Sequence, residues 1–501
     1  MSASNLDLLA TLGELADEPV QQTGPTADFV YIDISSIDRE TKKIADPKPL
    51  TLSQAPSRAK QLLISGDVLV SMTRPNLNAV ALVPEQLDRA IGSTGFHVLR
   101  SRWLIPDFLL ALVQTQSFVD AMSAVVQGAL YPAVRPRDIA GYSFKFETPA
   151  QQTRIVAKLE ELLSDLDAGV AELKAAQKKL AQYRQSLLKA AVEGELTADW
   201  RAQHTPTETG AQLLERILTE RRARWEAKQL AKFKEQGKTP PNDWQKKYPE
   251  PVLPETAELP VLPVGWDWAS IDQIAYVGTG VTPLRSKSAY FNEGTISWVT
   301  SGALNSEAVT SATELVTKLA LAECRLELYP VGSLLVAMYG EGKTRGKCSE
   351  LSIPATINQA IAAIVLEPAA QPSKAYVKAF LLDSYERMRA QASGGVQPNL
   401  NLQIVKSIAL PLPPHAEQSN ITHLLAEQFD LIGQQQTAVE LALKQSTAQR
   451  QNILRAAFAG QLVPQDPNDE PASVLLERIR VERAERDAIK KPRGRQVKEA
   501  A

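Results

Sequence analysis

The chain has 501 residues, of which 44% are hydrophobic and 22% charged; 55 lysines and arginines face 57 aspartates and glutamates, a net charge of −2. That length holds several domains, each able to bury a core. The charge balance excludes a globally basic nucleic-acid binder, so any such surface must come from local clusters. No run of about 18 apolar residues marks a helical membrane span, the start MSASNLDLLATLGELADEP has neither the basic nor the apolar part of a secretory signal, and the two cysteines, Cys324 and Cys348, read as free thiols in a reducing cytoplasm.

Residues 1–148 read as a globular unit. Strand-like runs lie at Asp28–Ile37, Asp67–Met72, Ala79–Val83 and Phe96–Ser101, and one helix at Pro106–Val125 opens on proline. The mixture is α+β without regular alternation. Residues 149–199 follow as a long helix. From Gln152 to Glu193 the chain has one glycine and no proline, and Ile155, Leu159, Leu162, Leu166, Gly169, Leu173, Ala176, Leu180, Tyr183, Leu187 and Ala190 recur in alternating fours and threes. This heptad pattern predicts a coiled-coil seam on a helix about 60 Å long, a strut rather than part of a compact core. Glu215–Gln229 suggests a short helix, and 200–263 as a whole a linker whose Pro- and Lys-rich end, 230–263, is extended, its lysines a solvated face.

Residues 264–412 form a second α+β unit, with strands expected at Thr295–Ser301, Gly332–Met338 and Ala360–Glu367 and a helix at Ser373–Ala392. Residues 413–463 are a second strut, and 464–501 a helical, basic tail. The second half repeats the first. At an offset of 266, Ile421 falls on Ile155, Leu425 on Leu159, Ile432 on Leu166, Ile453 on Leu187 and Gly460 on Gly194; SLLKAAVEGEL matches NILRAAFAGQL, GDVLVSM matches GSLLVAM, and YPAVRPRDI matches QPNLNLQIV. The period is too long for a solenoid, so a half-protein has been duplicated. Val439 also lies on the second seam, which is the poorer one, with Gln428, Gln435, Ser446 and Gln449 at seam positions.

Chemistry is sparse. Ala337–Thr344 fits a loose phosphate-loop pattern, but the mechanism needs its lysine-threonine end to open a helix, and Pro354 follows in a stretch without helical periodicity. An ATPase is therefore the weaker reading, alongside a coiled-coil scaffold. His97, His204, His415 and His423 have no metal spacing, no G-x-S-x-G elbow occurs, and Glu40-Thr-Lys42 is a short nuclease-like string of a kind common on charged surfaces. Binding surfaces are better supported. Tyr339, Lys343, Thr344, Arg345 and Lys347 make a basic loop suited to phosphates or guanine edges, and its counterpart carries Thr73, Arg74, Asn76 and Asn78. Tyr131, Arg135, Arg137, Gln397 and Asn399, in the matched segments that follow, join the candidate set.

These features resemble the DNA-specificity subunits of type I restriction-modification systems. VGTGVTP, ISWVTSGAL, MYGEGKTRGKCSEL, TINQAIAAI, the PLPP junction into the second strut and its ILRAAFAGQLV end carry the resemblance, which covers most of the chain; FETPAQQTRIV replaces the PLPP form in the first half. The resemblance implies two target-recognition domains separated by two long antiparallel coiled-coil helices with a pseudo-two-fold repeat. Each domain would read half of a bipartite duplex DNA sequence in the cytoplasm without catalysis. It also implies two methylation subunits that use S-adenosylmethionine, two restriction-motor subunits that use ATP and Mg, and no cofactor on this chain.

Overall fold

The computed structural model describes residues 8–16, 18–126, 132–339, 344–385, 388 and 400–490. The chain forms two compact units, one from residues up to Ala175 together with those from Val439 onward, the other Ala176–Ala438. The division falls inside two long helices, Pro149–Val192 and His415–Phe458, each of 44 residues. Both helices stop at a glycine with positive φ, Gly194 (79°) and Gly460 (72°), the left-handed closure that glycine adopts without a Cβ penalty.

In the first unit, strands Phe96–Leu99, Val68–Ser71 and Val80–Leu82 form an antiparallel sheet, and Lys48–Leu50, Phe29–Ile32, Ile91–Ser93 and Ala59–Leu62 a mixed one. The helix expected at Pro106–Val125 breaks in two, Pro106–Gln114 and Gln116–Ala124. Thr115 is the reason: it is extended, and its Oγ accepts from the Phe118 N–H as the cap of the second piece. In the second unit, a five-stranded sheet orders Ala275–Thr279, Ile361–Leu366, Leu334–Ala337, Cys348–Leu351 and Ala308–Val309.

The repeat is visible in the backbone bonds. In each module a strand near its start pairs antiparallel with the strand leading into a long helix: Leu9–Thr11 with Ser143–Lys145, and Asp267–Ser270 with Ala409–Leu412. Each first strand ends in a capping box, Thr11 with Glu14 and Ser270 with Gln273. At the helix entries, Gln152 Nε2 donates to the Glu147 carbonyl and Gln418 Nε2 to the Pro413 carbonyl, both at 2.8 Å. FETPAQQ and PLPPHAEQ thus build the same junction from different residues.

Each unit closes its core with both long helices. In the first, Ile155 and Leu159 join Leu454 and Ala457, with Leu163 and Ile453 at the edge. In the second, Leu187, Leu188 and Ala191 join Ile421, Leu425 and Ile432, with Leu180 at the edge. The start of one helix therefore meets the end of the other, which makes the pair antiparallel. The expected seam is buried at these ends; Leu166, Leu173 and Val439 are only half-buried. Leu188, Ala191, Leu454 and Ala457 lie one position off the heptad and are buried as well, in the clusters that the helix ends share with the modules.

The linker also differs from the sequence expectation. A helix runs Gly210–Glu235, longer than Glu215–Gln229, and buries Leu213, Leu214 and Ile217. The residues after it fold back: Trp244 stacks on Trp225 at 5.8 Å, and Tyr248 meets Trp225 edge-on at 5.4 Å. In the first unit, helix Ala472–Lys490 buries the matching Leu475, Leu476 and Ile479. No described helix is long and apolar enough to cross a membrane.

One buried carboxylate anchors the second unit. Glu417, 1% exposed, accepts from Thr197 Oγ1 (2.7 Å), Arg201 Nε (2.9 Å) and Trp266 Nε1 (2.8 Å). The first unit has Gln151 at the matching place, where it accepts from Arg154 Nε at 3.0 Å. Removing one partner of such a group leaves the others buried and unpaired, so Glu417→Ala is expected to cost about 3–5 kcal/mol. Glu417→Gln, which keeps an acceptor in place, should cost less than half of that. Denaturant unfolding followed through tryptophan fluorescence checks both values.

Candidate nucleic-acid interface

The two sequence segments expected to bind DNA in the first module are adjacent in space. After strand Val68–Ser71, Thr73 bridges antiparallel to Ala133, the Arg74 N–H donates to the Pro132 carbonyl (2.8 Å), and the Val134 N–H donates to the Met72 carbonyl (2.8 Å). Arg74 is left-handed (φ 48°), Pro75–Leu77 makes one 3₁₀ turn, and Asn78 is left-handed again (φ 45°). The resulting protrusion exposes Thr73, Arg74 and Asn76. Arg135 and Arg137 are exposed nearby, at the start of helix Pro136–Ala140; Arg137 pairs loosely with Asp138 at 3.8 Å. Exposed guanidinium, amide and hydroxyl groups on a backbone-fixed loop are the equipment for phosphate contacts and base-edge hydrogen bonds.

Asn78, expected at a base edge, is committed to the fold instead. Its Nδ2 donates to the Val113 carbonyl (3.1 Å), and its carbonyl accepts from Lys42 Nζ (2.6 Å). Its left-handed backbone turns the side chain toward the module.

The second module repeats the frame. The Leu400 N–H donates to the Met338 carbonyl at 3.2 Å, which is the Val134–Met72 bond displaced by 266 residues. Here the two strands flanking the loop form a hairpin that closes from Ala337 to Lys347, with the Ala337 N–H donating to the Lys347 carbonyl (3.0 Å) and the Gly346 N–H to the Ala337 carbonyl (2.8 Å). Thr344 and Arg345 are half-buried at its end, Tyr339 packs against the module core, and Lys347 Nζ donates to Asn305 Oδ1 at 2.8 Å. Asn305 carried no sequence signal, because it comes from a separate turn 42 residues away. Tyr131, Lys343, Gln397 and Asn399 lie outside the described residues.

The phosphate-loop pattern does not lead into a helix. After Thr344 comes a turn and then strand Cys348–Leu351, antiparallel to Leu334–Ala337, so no helix N-terminus cradles an anion at that point. Among the described residues no three His, Cys, Asp or Glu side chains group as metal ligands. Two tyrosines clamp a carboxylate beside the five-stranded sheet: Tyr276, on its first strand, and Tyr329 both donate to Glu327 Oε2, at 2.9 and 3.0 Å. Burial, reinforced by that carboxylate, pushes the Tyr276 phenol up to about 12.

Comparison with known proteins finds relatives of this chain. Residues 263–441 match the type I restriction modification DNA specificity domain. The specificity subunit of the type I restriction enzyme EcoDI from Escherichia coli is 25% identical over 369 residues, 72% of each chain. That of HindI from Haemophilus influenzae is 22% identical over 382 residues, 72% of this chain and 79% of the relative. A chain of a solved type I restriction-modification structure, concerned with complex assembly and conformational transition, shares the fold with a TM-score of 0.64 at 23% identity, over 90% of this chain and 97% of that one.

The two thiols should separate chemically. Cys348 is buried, and burial pushes its thiol up to about 12, which suppresses the reactive thiolate; Cys324 is partly exposed. Titration of the native chain with a thiol-disulfide reagent should modify one cysteine fast, with the second reacting only on unfolding.

Proposed function

We infer that this chain, which belongs to the family of type I restriction-modification DNA-specificity subunits, reads a bipartite, asymmetric duplex target with one half-site per module. The observation that carries this reading is the repeated frame around the loops. The same inter-segment backbone bond, Val134 to Met72 and Leu400 to Met338, supports loops of different length and composition. A common frame with divergent loops lets each half-site have its own sequence, unlike the palindrome read by a homodimer. In the first half-site, Thr73, Arg74, Asn76, Arg135 and Arg137 are the contacting groups; in the second, Lys343, Thr344 and Arg345 are, with Lys347 held against Asn305.

The chain's own part is recognition. Methylation subunits dock on the paired long helices, bring S-adenosylmethionine and modify adenine; motor-nuclease subunits bring ATP and Mg. The long helices set the unread distance between half-sites. With a net charge of −2, the chain gains part of its phosphate grip from those partners, and so binds DNA less tightly, with a shallower salt dependence, alone than in the complex.

Replacing 264–412 with the module of a relative should change one half-site and leave the other intact, as read by methylation profiling of cells carrying the complete system. A change in both half-sites would sink the modular reading. Arg74→Ala should relax discrimination in the other half-site at one base pair, by about 1–3 kcal/mol, as read by binding of the assembled complex to single-substitution duplexes.

A further inference from the structure

We propose that Lys42 is a positioning residue for DNA reading, its amine pinning one end of the Thr73–Asn78 loop and thereby setting that loop's discrimination. The inference rests on the reading of that loop given above. Lys42 sits in the turn of a hairpin formed by Ile37–Asp38 and Lys43–Ile44, in a left-handed conformation (φ 57°). From there its Nζ reaches the Asn78 carbonyl at 2.6 Å, 36 residues away. Asn78 is thus held on two sides, by Lys42 and by the Val113 carbonyl. The loop's other end is held by the Arg74 bond to Pro132. The one turn between them, Pro75–Leu77, hangs on these anchors.

The hairpin that carries Lys42 is itself tied down. Glu40, the other half of the nuclease-like string, pairs with Lys174 of the first long helix at 2.9 Å. Lys42 borders a cavity of about 570 Å³ between the hairpin, helix Pro106–Gln114 and the two long helices. The charged groups facing it are Asp38, Arg39 and Lys43 on its own hairpin, Asp107 on helix Pro106–Gln114, Glu160 and Asp167 on the first long helix, and Arg450 on the second. Arg450 is paired with Asp167. Burial, then Arg450 and Arg39, lower the Lys42 ammonium to about 8 against the pull of Asp38.

This geometry has a pH signature. Below about pH 8 the bond to Asn78 is charge-assisted; above it the neutral amine makes a bond about half as strong. Folding responds in the opposite sense. The unfolded chain, with its lysine at the ordinary 10.5, binds more protons than the folded chain between about pH 8 and 10.5, so Lys42's contribution to stability rises with pH across that window. Loss of discrimination as pH rises is therefore not a sign of unfolding at this residue.

The test uses the chain assembled with its methylation partners and selection from random duplex libraries, with the second half-site as internal control. Lys42→Met should lower discrimination at the first half-site about tenfold and leave the second unchanged. Lys42→Arg should restore it at pH 7 and flatten the decline that the native complex shows between pH 7 and 9. The triple variant Thr73→Ala, Arg74→Ala, Asn76→Ala reports on the loop reading separately. If the triple variant keeps first-half discrimination, the loop reading fails. If it loses discrimination while Lys42→Met keeps it, only the role of Lys42 is overturned. Should Lys42→Met fail to assemble, the native and Lys42→Arg pH profiles decide, and parallel profiles overturn the proposal.

Discussion

In each module one core cluster takes residues from both long helices. The first is completed by Ile155 and Leu159 from the start of one helix and by Leu454 and Ala457 from the end of the other. The second is completed by Leu187, Leu188 and Ala191 together with Ile421, Leu425 and Ile432. Apolar burial of this kind is worth about 1.5–3 kcal/mol per fully buried aliphatic side chain, and within each unit it joins the start of one long helix to the end of the other. The helix ends are thus the buried part of the pair, while the middle seam residues Leu166, Leu173 and Val439 remain half-buried.

The repeat conserves the interactions that fix backbone and lets the rest vary. Gln152 and Gln418 bond equivalent carbonyls at the two helix entries, and Thr11 and Ser270 close equivalent capping boxes. By contrast, the pairing of Glu417 with Arg201 and Trp266 becomes Gln151 with Arg154. The loops vary most: a 3₁₀ turn between two left-handed residues in one module, a strand-flanked hairpin in the other. On the proposed function, two readers of different sequences need this combination, a common frame with independent tips.

Much of the architecture was legible because it is written in periodic or local signals. The heptads of both helices, their glycine stops and the 266-residue offset need only a sequence. What was missed depends on contacts far apart in the chain or on a local cap. Thr115 breaks a run that reads as one helix, because its hydroxyl caps the second piece. The Pro- and Lys-rich linker folds back through Trp225, Trp244 and Tyr248, aromatic pairs that no periodicity announces. At the candidate interface, residue type picks out Thr73, Arg74 and Asn76, which are exposed, but does not separate them from Asn78, whose left-handed backbone and bond to Lys42 turn it inward.

On the proposed function, the two long helices set the unread distance between the half-sites. Insertion of seven residues into the middle of both long helices, where the seam is least buried, tests it most directly. Sequencing of the targets methylated by the complete system should then show both half-sites unchanged and the unread spacer between them lengthened. An unchanged spacer with both half-sites still read would contradict the account.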